Sequence, residues 1–384
     1  MTLSAAGRLG VGIVGAGWCA AEHIKAFQQN PDARIVAVCS RNEARARRTL
    51  TDHGVTGVDR LAFIRRYEDL LGRPDIDIVS IATPNHLHAG QAVSAARAGK
   101  HLLLEKPTGL DVAELVRIRN AVRRSGVITI VSFVLHYNPL LAFAHWLRAS
   151  GRLGAIRCAR FSYVSRITDD YAGWSWCRTA KSGRSHLLAA GCHAVDALRW
   201  CSGLEPEEVS AYHTRFTRGY QWPTSIVVNM RLGSRALGQV VSSTDFMTPY
   251  RFGVELMGDR ATLQDDRITW HDDPIDVDRL RDENPFPDVA LHGDRAAGGA
   301  ASLRIECVMP DSGDVSHHPF QAEVDELVTC VRRGQPTHLD VFEAQKTMEV
   351  CLAADRSAAR GGRPVRLPLI PLIPLRPLTR RATR

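Results

Sequence analysis

The sequence predicts an α/β protein in which a helix-covered parallel sheet is followed by an α+β domain with an open, mainly antiparallel sheet. Two patterns carry this prediction. The first third of the chain alternates short, continuous apolar runs with helical segments, which is typical of parallel strands buried on both faces. From about residue 152, apolar residues alternate with polar ones, which is typical of antiparallel strands with one solvated face.

The individual elements follow from these patterns. Apolar runs predict parallel strands at 11–14, 34–40, 76–82, 101–105 and 127–134, with helices such as 20–30 and 91–100 between them. Alternating runs predict the second sheet at 156–165, 208–217, 225–232, 236–244 and 251–259. Further helices are predicted at 186–201, 320–334 and 341–362. Residues 271–316 lack a clear period, and we expect an extended insertion there.

We therefore expect a dinucleotide-binding domain over 1–134, a substrate-binding and oligomerisation domain over 135–367, and a tail over 368–384. In the tail, proline recurs every third residue from Pro368 to Pro377, which is the repeat of a polyproline II helix. Such a tail is either a mobile extension or an arm that packs on a partner subunit.

Composition excludes several classes of protein. The formal net charge is +8, but 367–384 holds four arginines and no acid, and the body shows no basic face interleaved with aromatics. We therefore expect no nucleic-acid partner, and a mild positive bias suits anionic ligands. We also expect neither a secretory signal nor a membrane helix. The nine scattered cysteines indicate reduced thiols and a cytoplasmic location.

A glycine-rich turn predicts the dinucleotide site. Gly15-x-Gly17-x-x-Ala20 follows the first strand and opens a helix, so backbone N–H groups can approach a pyrophosphate that the helix N-terminus stabilises. The predicted contacts at this turn are Gly15, Ala16, Gly17, Trp18 and Cys19.

The end of the second strand bears on the choice of cofactor. An acid at this place would bind the ribose 2′-hydroxyl of NAD, but Ser40 and Arg41 stand there, with Arg45 one turn beyond. A hydroxyl and guanidinium groups suit a 2′-phosphate, so NADP is favoured over NAD. The alternative is that Arg41 is a solvated surface charge.

A third cofactor-lining loop follows the strand at 76–82. Its residues Thr83, Pro84, Asn85 and His88 lie where ligands bind at the carboxyl ends of parallel strands. His86 and His88 have no companion ligands in the sequence, so we expect no metal.

Several motifs together resemble the Gfo/Idh/MocA oxidoreductases, the glucose–fructose oxidoreductase and inositol dehydrogenase superfamily. The resemblance runs from Val11 to Leu367 and rests on the glycine turn, His23 and the runs YEDLL, TPNHLH, EKP, RLG, GCHAVD and GGRPVRLP. It implies a Rossmann domain followed by a domain whose open sheet often mediates oligomerisation, hence a homodimer or homotetramer.

The resemblance also implies two catalytic residues. Lys106 of EKP would point between nicotinamide and substrate and stabilise alkoxide charge, while Glu105 would hold the lysine or contact cofactor. His193 of GCHAVD would exchange a proton with the substrate hydroxyl. The alternative for His193 is a core histidine.

The chain departs from the family pattern at two places. Ala189 replaces an aspartate that many members carry four residues before this histidine; Asp196 could orient His193 or pair within its own domain. His136 replaces an arginine that often precedes the tyrosine. We expect His136, Tyr137, Trp174 and Arg178 near the substrate.

These features predict an NAD(P)-dependent dehydrogenase or reductase of a sugar, polyol or sugar derivative. The alternatives are a lyase or glycosidase-like enzyme that oxidises its substrate transiently, without net redox change, and a cofactor-binding sensor without turnover.

Overall fold

The computed structural model describes residues 7–371 except 168, 170–172, 234, 271–275, 296–300 and 309–317. Pro374 and Pro377 lie outside the described residues, and so does most of the predicted polyproline tail. The described start of the tail packs on the protein, because Ile370 is buried and Glu349 accepts hydrogen bonds from the N–H groups of Leu369 and Ile370.

The first sheet has six parallel strands in the order β3-β2-β1-β4-β5-β6, which confirms the predicted Rossmann architecture. The strands are β1 Leu9–Val14, β2 Ala33–Cys39, β3 Phe63–Ile64, β4 Ile78–Ile81, β5 His101–Leu104 and β6 Thr129–Val131. The helices between them are α1 Trp18–Gln29, α2 Glu43–Asp52, α3 Tyr67–Leu71, α4 Asn85–Arg97 and α5 Val112–Ser125. Every residue of β1 and β4 is buried, as both-sided helical cover requires.

The second sheet is mixed and mostly antiparallel, in the order β14-β15-β13-β12-β11-β7-β10-β9-β8-β16. Its strands are β7 Ile156–Val164, β8 Pro206–Thr214, β9 Ser225–Leu232, β10 Ala236–Ser243, β11 Arg251–Gly258, β12 Thr262–Gln264, β13 Arg267–Trp270, β14 Val289–Arg295, β15 Ala301–Cys307 and β16 Val365–Arg366. Within the described part of this second sheet, only the β7–β10 pair is parallel. Buried and exposed residues alternate along β9, which confirms the predicted solvated face.

The predicted extended insertion at 271–316 is wrong for the part that the structure describes. A short helix α9, Val277–Asp282, precedes β14 and β15, and these two strands pair antiparallel at one edge of the second sheet. Charged residues on the exposed side hid the strand pattern, since β15 buries Ser302, Leu303 and Ile305 among exposed neighbours.

Five further helices are described after β6; α6 joins the first sheet to the second, and the other four lie between strands of the second sheet. They are α6 Pro139–Ala149, α7 Trp174–Cys177, α8 Cys192–Ser202, α10 Phe320–Arg333 and α11 Val341–Ala358. Helix α10 packs back on the first sheet's layer, where Asp325 Oδ1 accepts a hydrogen bond from Asn30 and Arg332 pairs with Asp32. The C-terminal part of the chain thus completes the walls of a cleft at the edge of the first sheet.

The helix predicted at 186–201 divides into two conformations. Leu187–Gly191 forms a π-helical turn that leads into α8. A Cβ atom at Gly191 would lie 2.1 Å from Ser242 Oγ, so glycine allows this helix to press on β10. Among the described residues, no helix is long and apolar enough to cross a bilayer.

Candidate active site

The turn after β1 leaves backbone donors exposed for an anion. Gly15 has φ +109°, and a Cβ atom there would lie 2.1 Å from the Ala82 carbonyl oxygen. Gly17 is the N-cap of α1 and supplies no side chain to the free N–H groups of the first turn. A Cβ atom at Gly17 would meet nothing within 4 Å. This open approach to an uncapped helix N-terminus fits a pyrophosphate.

Ser40, Arg41 and Arg45 lie at the carboxyl end of β2, where a ribose would follow. Ser40 Oγ donates to the Asn42 carbonyl, and Asn42 caps α2 by accepting from Arg45 N–H. The Arg41 and Arg45 side chains are exposed. At the end of β2, the side chains available to a ribose substituent are therefore the cations of Arg41 and Arg45, and no carboxylate stands in the place where NAD-binding proteins often carry one.

The third loop is held by its own side chains and by the second half of the chain. Thr83 donates to Gln91, and Asn85 Nδ2 donates to the Ser182 carbonyl at 3.0 Å. The two ring nitrogens of His88 lie 2.8 Å and 2.7 Å from the carbonyl oxygens of Pro107 and Thr83. His88 is therefore buried and holds two loops together, whereas Thr83 and Pro84 are only partly buried.

His86 also takes a structural contact, with Nδ1 2.6 Å from Ser182 Oγ. Within the described ranges, no group of three or more His, Cys, Asp or Glu side chains is arranged to hold a metal ion.

Glu105 and Lys106 follow β5, the neighbour of the edge strand β6, at the carboxyl ends of the parallel strands. Glu105 is buried and lies 3.3 Å from His23 Nε2, while His23 Nδ1 contacts Ser80 Oγ at 2.8 Å. Burial alone would raise the pKa of Glu105, but the His23 hydrogen bond and nearby cations hold that pKa below its usual value. Lys106 Nζ donates to the Ala189 carbonyl at 3.4 Å.

His193 lies in the first turn of α8 and lines the same cavity as Lys106. Its side chain is 1% exposed, and neither ring nitrogen has a hydrogen-bond partner among the described residues. The rings of Phe133, Tyr163 and His318 surround it at 5.4–5.9 Å between centroids. Burial, reinforced by Lys106, lowers the pKa of His193 well below its usual value, so its imidazole is neutral near pH 7.

Lys106 and His193 line one cavity. The other lining residues come from α1, the ends of β5 and β6, β7 and the start of α10: Trp18, Cys19, Glu105, Ser132, Val134, Tyr163, His318 and Phe320. The cavity thus joins the dinucleotide turn to the helix that carries the histidine.

Four residues that the sequence places near the substrate are not in this lining. His136 stacks on Trp200 with centroids 4.0 Å apart, and its Nε2 lies 2.7 Å from Asp196 Oδ2. Tyr137 donates to Glu326 at 2.7 Å. Both side chains are used in packing between helices, which explains their position outside the cavity.

Trp174 and Arg178, which were also expected near the substrate, contact residues outside the cavity. Trp174 packs edge-to-face on Tyr220, 4.9 Å between centroids, and Arg178 donates to the Gly219 carbonyl. The sequence left open whether Asp196 orients His193 or pairs within its own domain. In the structure, Asp196 accepts a hydrogen bond from Thr347 and contacts His136. It pairs within its own domain and does not orient His193.

Sequence reasoning missed Ser132, Tyr163, His318 and Phe320. Ser132 directly follows β6, so the rule that ligands meet the carboxyl ends of parallel strands could have found it. The other three enter from distant parts of the chain, and their packing against His193 has no local signal.

The fold and cavity are those of a dinucleotide-binding protein in which Lys106 and His193 line one cavity at the carboxyl edge of the parallel sheet. Comparison with known families agrees. A model described as "Oxidoreductase family, NAD-binding Rossmann fold" matches residues 9–133, and one described as "GFO/IDH/MocA C-terminal domain" matches residues 142–264. The chain belongs to the Gfo/Idh/MocA oxidoreductase family.

Two curated relatives match this chain over nearly their whole length. An uncharacterized oxidoreductase of Rhizobium meliloti is 29% identical over 91% of this chain and 97% of its own. A D-xylose 1-dehydrogenase (NADP(+)) of Haloferax volcanii is 29% identical over 91% and 97%. The structure of a levoglucosan dehydrogenase with NADH and levoglucosan covers 94% of this chain and 100% of its own, with a TM-score of 0.76 and 20% identity, and supports the fold.

Proposed function

We propose that this oxidoreductase transfers hydride between a nicotinamide cofactor and a CH–OH group of a sugar, polyol or sugar derivative. The observation that carries the proposal is the shared cavity of Lys106 and His193 beside the dinucleotide turn. The D-xylose dehydrogenase and levoglucosan dehydrogenase among its relatives support a sugar-like substrate.

The two side chains have complementary roles in this proposal. A nicotinamide cofactor held at the Gly15–Cys19 turn would supply the hydride acceptor for the substrate carbon. The neutral His193 accepts the proton of the substrate hydroxyl, and the Lys106 ammonium stabilises the oxygen as its negative charge develops. In the reverse direction, His193 returns the proton to the oxygen of a ketone.

For the cofactor we propose NADP as the preferred form. The exposed guanidinium groups of Arg41 and Arg45, at the end of β2, support this preference because they suit a 2′-phosphate. The expected contacts of the nucleotide half are the turn Gly15–Cys19, Ser40 and the loop beginning at Thr83.

We further propose a homo-oligomer, a dimer or tetramer, that assembles through the outer face of the second sheet. Three large apolar side chains on adjacent strands are exposed on this face: Leu237, Val227 and Tyr212. Val227 and Tyr212 are direct cross-strand neighbours. Exposed apolar side chains on adjacent strands favour burial against another copy.

We also propose the division of the chain into 1–134, 135–367 and 368–384. We propose in addition a reducing, cytoplasmic location, which the nine free cysteines support.

The direct test is to incubate the purified protein with NAD⁺ or NADP⁺ and a panel of sugars and polyols. Net appearance of reduced nicotinamide, followed by its near-ultraviolet absorbance, would support the dehydrogenase. Product detected by mass spectrometry without reduced cofactor would instead support transient oxidation, an alternative favoured by the missing carboxylate at Ala189. Cofactor binding with no product from any substrate would reject both.

A further inference from the structure

A buried acid on α10 lies directly behind the cavity. We infer that Glu323 is a positioning residue which, as a neutral acid, makes the Ser132 hydroxyl a hydrogen-bond donor into the cavity. The inference rests on the proposed function, because the acceptor is an oxygen of the bound cofactor or substrate.

The geometry of Glu323 leaves its carboxyl group a single polar neighbour. The residue is 0% exposed, and Oε2 lies 3.0 Å from Ser132 Oγ. Its other oxygen, Oε1, is buried without a hydrogen-bond partner among the described residues. A buried carboxylate normally gathers several donors or a cation, so this environment suits a neutral carboxyl group.

The surrounding charges point the same way. Within the described ranges, Glu323 forms no ion pair, and the charged groups that act on it are Glu105 and Glu326. Burial, followed by Glu105, raises the pKa of Glu323 well above its usual value, and the Ser132 hydrogen bond only partly opposes this. Glu323 lies in the first turn of α10, where the helix dipole favours an anion. That effect is small beside the cost of an unpaired buried charge.

The neutral form determines the direction of the hydrogen bond. A protonated carboxyl group has one O–H, and its available acceptor is Ser132 Oγ. If Glu323 donates to that oxygen, the Ser132 hydrogen must point elsewhere. Ser132 lines the cavity together with Lys106 and His193, so the cavity gains a second donor.

The group that accepts from Ser132 is an uncharged or developing oxyanion oxygen. Two sources have this chemistry: the carboxamide oxygen of a nicotinamide, and the reacting oxygen of the substrate. Because Ser132 follows β6 and Lys106 follows the neighbouring β5, both donors approach the ligand from the same edge of the sheet.

Three variants test the inference. Ser132→Ala removes the donor, Glu323→Gln keeps a neutral group that can donate to Ser132, and Glu323→Met removes the donor to Ser132. Glu326→Gln is the matched control, one turn along α10, where the carboxylate contacts Tyr137 and His338 outside the cavity lining. Thermal melting establishes that each variant is folded.

The first readout is the infrared spectrum of the full chain at neutral pH. We expect a protonated-carboxyl carbonyl band that Glu323→Gln weakens and Glu326→Gln retains; the remainder comes from Asp355, whose pKa burial raises to about 7. This readout needs neither substrate nor turnover, so it separates failure of the inference from failure of the proposed function. Identical carboxyl bands in the unmodified protein and Glu323→Gln would overturn the inference.

The second readout is cofactor affinity and kcat/KM with the best substrate of the panel. We expect Ser132→Ala and Glu323→Met to lose roughly 10- to 100-fold in one of these quantities, and Glu323→Gln to stay close to the unmodified protein. A loss of cofactor affinity assigns the acceptor to the carboxamide, and a loss confined to kcat/KM assigns it to the substrate. Unchanged values in Ser132→Ala, or a Glu323→Gln defect equal to that of Glu323→Met, would overturn the inference.

Discussion

Lys106 is the residue on which the proposed chemistry depends most directly. Removing its ammonium leaves the developing alkoxide without its cation, while the dinucleotide turn is unchanged. We expect Lys106→Ala to lower kcat by about 100-fold or more with cofactor affinity largely retained, as measured by steady-state kinetics and cofactor titration. Lys346→Ala removes a half-exposed lysine on α11 and serves as the control. Near-normal turnover in Lys106→Ala would reject the catalytic assignment.

Arg41 is the residue that tests the cofactor preference. Arg41→Asp places a carboxylate where a 2′-phosphate would lie, so it repels NADP and can accept a hydrogen bond from the ribose hydroxyl of NAD. We expect NADP affinity to fall at least about 10-fold more than NAD affinity in fluorescence titrations. Arg97→Asp makes the same charge change at the far end of α4 and should leave both affinities unchanged. Equal losses of both cofactors in Arg41→Asp would remove the preference for NADP.

Asp355 makes stability depend on pH. Burial raises its pKa from the usual range to about 7, with Ser185 and Arg184 opposing the rise. The unfolded chain then releases this proton at lower pH than the folded chain. The contribution of Asp355 to the free energy of unfolding therefore falls as pH rises from about 4 to about 7.

The matching variant is Asp355→Asn, which removes the charge that folding disfavours. We expect urea unfolding to show a gain of about 1–3 kcal/mol at pH 8 and a smaller gain at pH 5. Asp278→Asn, at a side chain that is 90% exposed, should show no comparable pH dependence. An equal gain from Asp355→Asn at both pH values would contradict the raised pKa.

At the scale of elements, the two glycines of the β1–α1 turn have different physical tasks. Gly15 is required by its positive φ and by the Ala82 carbonyl, whereas Gly17 has φ −94° and open space beside it. We expect Gly15→Ala to lower stability by about 3 kcal/mol or more. Gly17→Ala should keep its melting temperature but lose about 10-fold or more in cofactor affinity, because its methyl group meets the pyrophosphate. Unchanged cofactor affinity in Gly17→Ala would place the dinucleotide elsewhere.

Some of these elements could be predicted from local sequence patterns alone, and others could not. The parallel strands were predictable because each is a continuous apolar run with a helix after it, and the glycine turn was predictable from its spacing. The hairpin of β14 and β15 was not, because the exposed charged residues Arg304 and Glu306 interrupt the apolar pattern of β15. The π-helical turn before α8 was not predictable either, because it depends on the close packing of Gly191 against β10, a contact between distant parts of the chain.

At the scale of the whole molecule, the outer face of the second sheet leaves apolar surface uncovered. Leu237 is 60% exposed on β10, one strand away from Val227 on β9. We expect Leu237→Glu to shift the protein towards a smaller species in size-exclusion chromatography with light scattering, because burying the charge in an interface is unfavourable. Val308→Glu, at an exposed valine beyond β15, is the control. An unchanged mass in Leu237→Glu would exclude this face as the interface.

The candidate site divides between what motifs and what packing could reveal. Lys106 and His193 carry motifs that resemble a known family, and the structure brings both to one cavity. His136, Tyr137, Trp174 and Arg178 were chosen for their side-chain chemistry and nearness in sequence. In the structure, His136 and Tyr137 contact α8 and α10, and Trp174 and Arg178 contact the turn at 219–220.

By itself, the sequence determined the two-sheet architecture and the dinucleotide turn and pointed to Lys106 and His193 as a pair, because these depend on local periodicity and on short motifs. Only the tertiary structure decided which partners they have. Asp196 pairs with His136 rather than His193, and Glu323 reaches Ser132 across 191 residues of chain. Such contacts are set by how helices pack on distant strands, and burial then determines the protonation of the groups that meet there.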